Sequence, residues 1–243
     1  MKYQQTSIIP INQQFYNEKT NELVNWEVNS RNSLDLQAIS SFCALGFMLD
    51  DDTFYDQIKV LRPSTKIILE DNNIKSKEKI WEWHYNPTQR TLEEILEEFT
   101  DIFENIVVNK SNGKKILLPI SGGLDSRTLF VPVKGIPNLT LAAYEFEGGI
   151  NETRYGKELA ECFSLPLYTQ KLPKGYLWSK IEKLIKLNNC FSEFTHPRQL
   201  AVLDNWKSLG DIVLLGHMGD LLFESQTNAN KCSYDEQLDL LIK

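Results

Sequence analysis

The spacing of apolar residues changes near residue 90 of the chain. Before that point, the alternation and the β-branched residues typical of strands occur at residues 22–28 and 66–69, and one helical pattern lies at residues 35–45. After it, Thr91 and Glu94 form a capping-box pattern at the start of a long amphipathic helix. The apolar positions of that helix recur every three or four residues and are Leu92, Ile95, Leu96, Phe99, Ile102, Phe103, Ile106 and Val107.

Short apolar runs alternate with helical patterns from residue 115 onwards. The predicted strands are residues 115–120, 139–146, 167–172 and 211–215. The predicted helices are one that begins at Asp125 and those at residues 151–162, 176–187 and 198–209. Such alternation is typical of βαβ units with parallel strands. We therefore predict a β-rich domain of residues 1–88 and an α/β domain of residues 89–243 with a mostly parallel sheet.

The charge of the chain restricts its partners. The 243 residues include 26 Lys and Arg against 33 Asp and Glu, which gives a net charge of −7. Proteins that bind nucleic acid without specificity neutralise phosphates with clustered basic residues, so we expect no nucleic-acid partner. A local anion site is still compatible with this charge, because backbone amides alone can hold a phosphate group.

The chain lacks the patterns of an exported or membrane-bound protein. Its four cysteines are far apart and form no C-x-x-C motif, so we predict free thiols in a reducing compartment. The N-terminal residues contain no apolar segment of signal-peptide length, and the longest apolar runs are only as long as a strand. We expect a cytoplasmic protein that does not associate with a membrane.

The first motif that carries chemistry is Ser121-Gly122-Gly123-Leu124-Asp125-Ser126, directly after the predicted strand 115–120. The two glycines allow a ligand to approach the backbone closely, and the N–H groups at the start of the next helix favour a phosphate group. The hydroxyls of Ser121 and Ser126 can add hydrogen bonds, and Asp125 can hold a Mg²⁺ ion bound to the same phosphates. The spacing is that of neither a Walker A loop nor a dinucleotide-binding fingerprint.

A second motif follows the last predicted strand. Residues 214–220 read Leu-Leu-Gly-His-Met-Gly-Asp, in which Gly216 and Gly219 again allow close approach of the backbone. In an open α/β sheet, ligands lie at the carboxyl ends of the strands. We therefore expect Asp220 to lie near Asp125, so that the two carboxylates can share one Mg²⁺ ion.

These motifs resemble a known family. The segment SGGLDS resembles the pyrophosphate-binding loop of the N-type ATP pyrophosphatases, and together with DIVLLGHMGDLLF it resembles the synthetase domain of asparagine synthetases. Residues 142–160 are also similar to that domain, and residues 34–69 are similar to the end of the glutaminase domain of these enzymes. The resemblance implies a Rossmann-like (HUP-type) sheet, preceded by a β-rich remnant of a glutaminase-like (Ntn) domain.

The resemblance also implies a reaction and a set of site residues. ATP would adenylate a small carboxylate substrate with release of pyrophosphate, and ammonia or another amine would then displace AMP to form an amide. The loop residues that would hold pyrophosphate are Ser121, Gly122, Gly123 and Ser126. The residues that would line the adenosine site are Ile120, Tyr144, Leu215 and Gly216. The Mg²⁺ ligands would be Asp125 and Asp220, which would join His217 as the catalytic residues.

The sequence departs from the family at several points. It begins Met1-Lys2-Tyr3, without the nucleophilic cysteine of glutamine-dependent members, so we expect no glutamine hydrolysis. His217 and Leu221 stand where the asparagine synthetase pattern has glutamates, although a histidine can act as a general base. The chain also ends before the helical segment that carries the family's catalytic lysine, so we expect a truncated member. A homodimer or a separate ammonia-supplying partner is compatible with these departures.

Two further interpretations stay open. One is another ATP pyrophosphatase, such as a sulfur-transfer enzyme, although the chain has neither paired cysteines nor a basic face. The other is a fragment or pseudoenzyme that binds nucleotide without turnover. Arg127 has two alternatives of its own, since it either faces a phosphate or substrate carboxylate, or is a solvated helix residue.

Overall fold

The structure is a computed structural model that describes residues 2–5, 13–25, 32–82, 84, 86, 88–188, 198–217, 219 and 233. The described residues belong to two compact units. One contains those of residues 1–87 and 183–194, and the other contains those of residues 88–182 and 195–240.

The first unit is rich in antiparallel strands. Its elements are β1 (Lys2–Gln5), β2 (Phe15–Asn17), β3 (Leu23–Val24), α1 (Leu36–Leu45), β4 (Ile58–Val60), β5 (Thr65–Glu70) and β6 (Asn73–Lys79). One sheet has the strand order β1-β5-β6 and the other has the order β3-β2-β4. The sequence prediction of a β-rich region is therefore confirmed. The strand predicted at residues 22–28 corresponds to the shorter β3, since Asn25 is outside that strand. Residues 26–28 lie outside the described residues.

Helix α1 confirms the helical pattern at residues 35–45. Asp35 caps its start, since its Oδ1 accepts a hydrogen bond from the amide of Ala38 at 2.9 Å. Gly46 ends it with a left-handed φ of 81°, which glycine adopts without strain. The apolar core of this unit is formed by Tyr16, Leu61, Ile67, Leu69 and Ile74.

Helices and strands alternate from residue 92 onwards. The elements are α2 (Leu92–Ser111), β7 (Ile116–Pro119), α3 (Leu124–Val133), β8 (Leu139–Phe146), α4 (Thr153–Phe163), β9 (Leu167–Leu172), α5 (Ile181–Asn188), α6 (Leu203–Trp206) and β10 (Ile212–Val213). Two short 3₁₀ turns lie at Trp178–Lys180 and Arg198–Ala201. The predicted helices at residues 176–187 and 198–209 are thus each split into a 3₁₀ turn and a shorter α-helix.

The four strands β7 to β10 form one sheet in which every neighbouring pair is parallel. The strand order is β10-β7-β8-β9. If β7 is numbered as the first strand and the sheet is read from β9 to β10, this order is 3-2-1-4, which is the order of the first four strands in a Rossmann sheet. The prediction of a Rossmann-like α/β fold is therefore confirmed.

The sheet is buried on both faces. Because successive side chains of a strand point to opposite faces, Ile116 and Leu118 join α3 residues Phe130 and Val133 in one core. Leu117, between them, packs on the other face in a second core. The other members of that second core are Ala142, Leu172, Val202 and Trp206. A sheet covered on both sides explains why β7 reads as a continuous apolar run.

Helix α2 begins with the predicted capping box. Thr91 Oγ1 accepts from the amide of Glu94 at 3.2 Å, and Glu94 Oε2 accepts from the amide of Thr91 at 2.8 Å. Of its apolar positions only Phe103 and Val107 pack on the core, and the others are largely exposed. Although α2 has 20 residues, no described helix is both long and apolar enough to cross a lipid bilayer.

Candidate functional site

The two sequence motifs follow β7 and β10, the two strands between which the order of strand addition reverses. From β7 the chain moves outward to β8 and then β9, whereas β10 lies on the other side of β7. The strand order therefore changes direction at β7, which has β8 on one side and β10 on the other. Ligands of open α/β sheets bind at such switch points. The structure thus brings the loop after β7 and the segment after β10 to the same edge of the sheet.

The segment after β10 packs directly against the start of α3. A methyl group at Gly216 would place its carbon 2.8 Å from the carbonyl carbon of Asp125. A methyl group at Gly219 would lie 2.6 Å from Oδ1 of Asp125. Side chains essentially never approach other atoms this closely, so at Gly216, which faces backbone, the packing requires a residue without a Cβ, whereas at Gly219 the carboxyl group of Asp125 would have to rotate away. The two glycines noted in the sequence therefore face one residue of the loop motif, Asp125.

A cavity of about 500 Å³ opens at this edge. It has a size typical of small-molecule sites, which measure about 300–1,000 Å³. The predicted site residues in its wall are Ile120, Ser121, Gly123, Asp125, Ser126, Tyr144, Leu215, Gly216 and His217. Gly122 is not part of the wall, since it packs against the ring of Tyr155 from α4. Asp220 lies outside the described residues.

Two of the loop amides are hydrogen-bonded to hydroxyls of the loop itself. The amide of Ser121 donates to Ser126 Oγ at 3.1 Å, and the amide of Gly123 donates to Ser121 Oγ at 3.2 Å. The two hydroxyl oxygens are 3.3 Å apart. A hydroxyl both donates and accepts, so each can turn to a ligand oxygen when one is present.

Arg127 binds the opposite side of the loop. Its Nη2 donates to the carbonyl oxygen of Gly122 at 2.9 Å, and its Nε donates to the carbonyl oxygen of Gly123 at 3.1 Å. Because C=O and N–H point in opposite directions across a trans peptide, these bonds turn the amides of Gly123 and Leu124 away from the guanidinium. Arg127 is an exposed residue of α3, as the second alternative has it, and its side chain also fixes the orientation of the loop.

The start of α3 has no side-chain cap. Gly123 occupies the N-cap position and makes no side-chain hydrogen bond to the first turn. Uncapped N–H groups at a helix start, together with the positive end of the helix dipole, favour an anion. Asp125 in the same turn adds a negative charge. The turn therefore combines amide donors with one carboxylate that can bind a cation.

The wall opposite the loop is apolar and aromatic. Phe146 lies next to Tyr144 with ring centroids 5.8 Å apart, and Trp206 lies behind Tyr144 at 6.0 Å. Burial raises the pKa of the Tyr144 phenol above its usual value, although the nearby Arg198 guanidinium partly opposes this effect. The phenol is thus protonated at neutral pH and can donate a hydrogen bond.

His217 is held by a neighbouring amide. Its Nε2 is 3.3 Å from Nε2 of Gln199. When the Gln199 amide donates this bond, Nε2 of the histidine is the acceptor and the ring proton is on Nδ1. The imidazole is therefore oriented within the cavity wall, while its role as a general base stays a prediction.

The fit to Mg²⁺ can be judged from the carboxylates. Asp125 and Glu152 both line the cavity, whereas the described residues contain no group of three or more His, Cys, Asp or Glu that could hold a metal ion. Mg²⁺ in phosphate-binding sites commonly uses one or two carboxylates plus the phosphates of the substrate. The described residues fit an ion bound in that way and do not form an all-protein cage.

Sequence reasoning assigned no role to six residues of the wall. These are Pro119, Ala143, Phe146, Ile150, Arg198 and Gln199. Glu152 also lines the cavity, and its place at a helix start allows it to reach the nucleotide region, although an acidic residue there needs no function. Phe146 is the last residue of β8, and Ile150 and Glu152 follow it, so the rule that ligands bind at strand ends was a usable signal for these three. Arg198 and Gln199 belong to a 3₁₀ turn between β9 and β10, where the sequence offers no such signal.

No family model and no curated protein matches the chain. One similar solved structure is an NH₃-dependent NAD synthetase from Campylobacter jejuni in complex with a nitrate ion, with 17% identity, a TM-score of 0.35 and coverage of 55% of this chain and 60% of that chain. Another is a glutamine-dependent NAD⁺ synthetase from Acinetobacter baumannii in complex with ADP, with 13% identity, a TM-score of 0.38 and coverage of 74% and 33%.

The chain thus spans less than two thirds of the length of either synthetase. The class of the protein is defined by its own strand order and register as α/β with a Rossmann-like parallel sheet.

Proposed function

We propose that the α/β domain of residues 89–243 binds Mg²⁺-ATP and belongs to an ATP-dependent amide-forming ligase of the N-type ATP pyrophosphatase superfamily, similar to asparagine synthetases. The observation that carries the proposal is the Ser-Gly-Gly loop after β7, which opens with the start of α3 onto the cavity at the switch point of the sheet. Uncapped amides and two hydroxyls supply the donors that a pyrophosphate group needs.

The proposed binding mode assigns each wall of the cavity to one part of the nucleotide. Ser121, Gly123 and Ser126 receive the β- and γ-phosphates, and Gly122 joins them once its amide is free. Ile120, Tyr144, Leu215 and Gly216 form the side that receives adenosine, where an aromatic wall favours a planar base. The amides near the leaving phosphates stabilise the negative charge that grows as pyrophosphate departs.

Asp125 is the described residue best suited to hold the cation, and Asp220 is proposed as its second carboxylate. When bound, Mg²⁺ neutralises phosphate charge during transfer. His217 is proposed to take a proton from the attacking amine at Nε2, once that nitrogen is released from the Gln199 amide. The substrates would be a small carboxylate with ammonia or another amine, which a homodimer or separate partner could supply, and the β-rich domain of residues 1–88 would be a glutaminase-like remnant.

A second candidate is a protein that binds nucleotide without turnover. The observation that favours it is His217, which stands where the resemblance expects a glutamate and is engaged by Gln199. Both candidates predict binding of Mg²⁺-ATP, and only the ligase predicts release of pyrophosphate.

The test is to incubate the protein with Mg²⁺-ATP and a panel of small carboxylates and to follow pyrophosphate and AMP. The ligase predicts carboxylate-dependent release that is lost in Asp125→Asn and retained in Asp101→Asn, which makes the same change on exposed surface of α2. Binding of ATP without pyrophosphate from any acid would favour the second candidate. Absence of ATP binding would refute both.

A further inference from the structure

The carboxylate of Glu152 is hydrogen-bonded to the loop that follows β7. The amide of Gly122 donates to Glu152 Oε2 at 2.9 Å, although the two residues are 30 positions apart in the chain. Asn151 fixes the backbone beside Glu152, because its Oδ1 accepts from the amide of Arg154 at 3.2 Å at the start of α4. Tyr155, one turn further, packs its ring against Gly122. The beginning of α4 therefore brings a carboxylate onto the loop.

This acceptor differs in kind from those of the neighbouring amides. Ser121 and Gly123 donate to serine hydroxyls, which can turn and donate to a phosphate oxygen. An ionised carboxylate only accepts hydrogen bonds, and it repels a phosphate group. A phosphate that binds the Gly122 amide must therefore displace Glu152 first.

Few positive charges offset this repulsion. Asp125 and Glu152 both line the cavity, and Arg198 is the one Lys or Arg among the described residues of its wall. Arg127 is bonded to the loop carbonyls, and Arg154, two residues after Glu152, attracts its carboxylate without an ion pair. No ion pair among the residues that the structure describes involves Glu152. Arginine side chains near the carboxylate thus offset its repulsion only in part.

We propose that Glu152 competes with phosphate for the amide of Gly122 and thereby determines which form of the ligand binds. Free pyrophosphate must displace Glu152 and also bear its repulsion and that of Asp125. Pyrophosphate complexed with Mg²⁺ carries less charge, and the displaced carboxylate can turn towards the cation. Glu152 is therefore a specificity-determining residue that selects the Mg²⁺ complex over the free polyanion. This inference rests on the proposed phosphate-binding role of the loop.

The experiment is titration calorimetry of the full chain with sodium pyrophosphate, once in EDTA and once with Mg²⁺. Glu152→Gln removes the charge and keeps the shape, and Glu152→Ala removes the acceptor altogether. Glu161→Gln is the matched control, because it removes one negative charge from an exposed position of the same helix. Thermal unfolding of each variant checks that it is folded.

In EDTA, both Glu152 variants are expected to bind pyrophosphate about tenfold to hundredfold more tightly than wild type, the range for a hydrogen bond to a charged group. The gain should be smaller with Mg²⁺, and Glu161→Gln should bind like wild type. If wild type binds pyrophosphate and the Glu152 variants bind it equally or more weakly, Glu152 only supports the shape of the loop and the inference is wrong. If neither wild type nor any variant binds pyrophosphate or Mg²⁺-ATP, the proposed function itself fails.

Discussion

Replacing Gly216 with alanine tests the packing that joins the two halves of the site. The added methyl carbon would lie 2.8 Å from the carbonyl carbon of Asp125 and 3.0 Å from its carbonyl oxygen. Ordinary van der Waals contact begins at 3.4 Å, so the two segments must separate by 3.4 − 2.8 = 0.6 Å. The obstacle is backbone of the first turn of α3, which cannot rotate aside as a side chain can. The segment after β10 must therefore move away from α3.

The expected cost follows from this overlap. Overpacking of a close-packed region destabilises a protein by about 1–3 kcal/mol. For a chain of this length, each kcal/mol lowers the melting temperature by about 2–4 °C. Thermal unfolding followed by circular dichroism would measure the shift. Because Leu215 and His217 move with Gly216 relative to the loop, we also expect weaker binding of Mg²⁺-ATP, by about fivefold or more in titration calorimetry.

Gly135→Ala is the control for this substitution. A methyl group at Gly135 meets no atom within 4 Å, and its φ lies outside the left-handed region. It should melt at the wild-type temperature or slightly above, because alanine restricts the unfolded chain more than glycine does. If Gly216→Ala were as stable as Gly135→Ala, the contact between the segment after β10 and α3 would be looser than the structure gives, and the reasoning would be refuted.

Three further predictions concern the loop and helix α2. Arg127→Ala removes the hydrogen bonds to the Gly122 and Gly123 carbonyls and should weaken pyrophosphate binding about fivefold. Arg127→Lys keeps the charge but cannot make both bonds, so its pyrophosphate binding should be weakened nearly as much. Wild-type affinity in the lysine variant would show that charge alone matters. Thr91→Ala should lower the free energy of unfolding by about 1 kcal/mol in urea titrations, because α2 loses its N-cap, and an unchanged midpoint would contradict the cap. The hydrogen bonds from Thr91 lower the pKa of Glu94 below its usual 4.5 in the folded protein. The carboxylate of Glu94 therefore stabilises the fold fully above pH 4.5, and this stabilisation is lost as the pH falls through the lower pKa of the folded state. Glu94→Ala should unfold with a weaker dependence on acid pH, and a dependence identical to that of wild type would argue against this contribution.

The strands and the loop motif were predictable because their signals are local. The predicted strands 139–146 and 167–172 coincide with β8 and β9, since strands buried on both faces read as apolar runs. The position of the loop at a switch point of the sheet could be predicted from the sequence only in part. The sequence indicates parallel strands, but whether β10 joins the sheet beside β7 or beside β9 depends on packing that no local pattern records.

The contacts that tune the site were the least predictable. Glu152 reads as an ordinary acidic residue near a helix start, and its bond to Gly122 exists only because β8 returns α4 to the loop. No sequence pattern indicates the contact of Gln199 with His217, since it joins a 3₁₀ turn to the segment after β10. Helix α2 shows the opposite error. Its periodicity predicts a buried apolar face, yet most of that face is exposed, because periodicity specifies which residues share a face and not whether another element covers it.

The net charge of −7 is reflected in the charged groups around the loop, which include two carboxylates. Arg127 is close to the loop in sequence, but its guanidinium is bonded to carbonyl oxygens of the loop, so its effect on an anion is exerted through the amides that it orients. Oriented amides attract a phosphate over a short range only, because each carries a partial charge. Asp125 and Glu152 repel it at the same range. If the loop binds phosphate as proposed, such a site has little affinity for a bare polyanion, and a divalent cation would add positive charge to that of Arg198, the one Lys or Arg among the described residues of the wall.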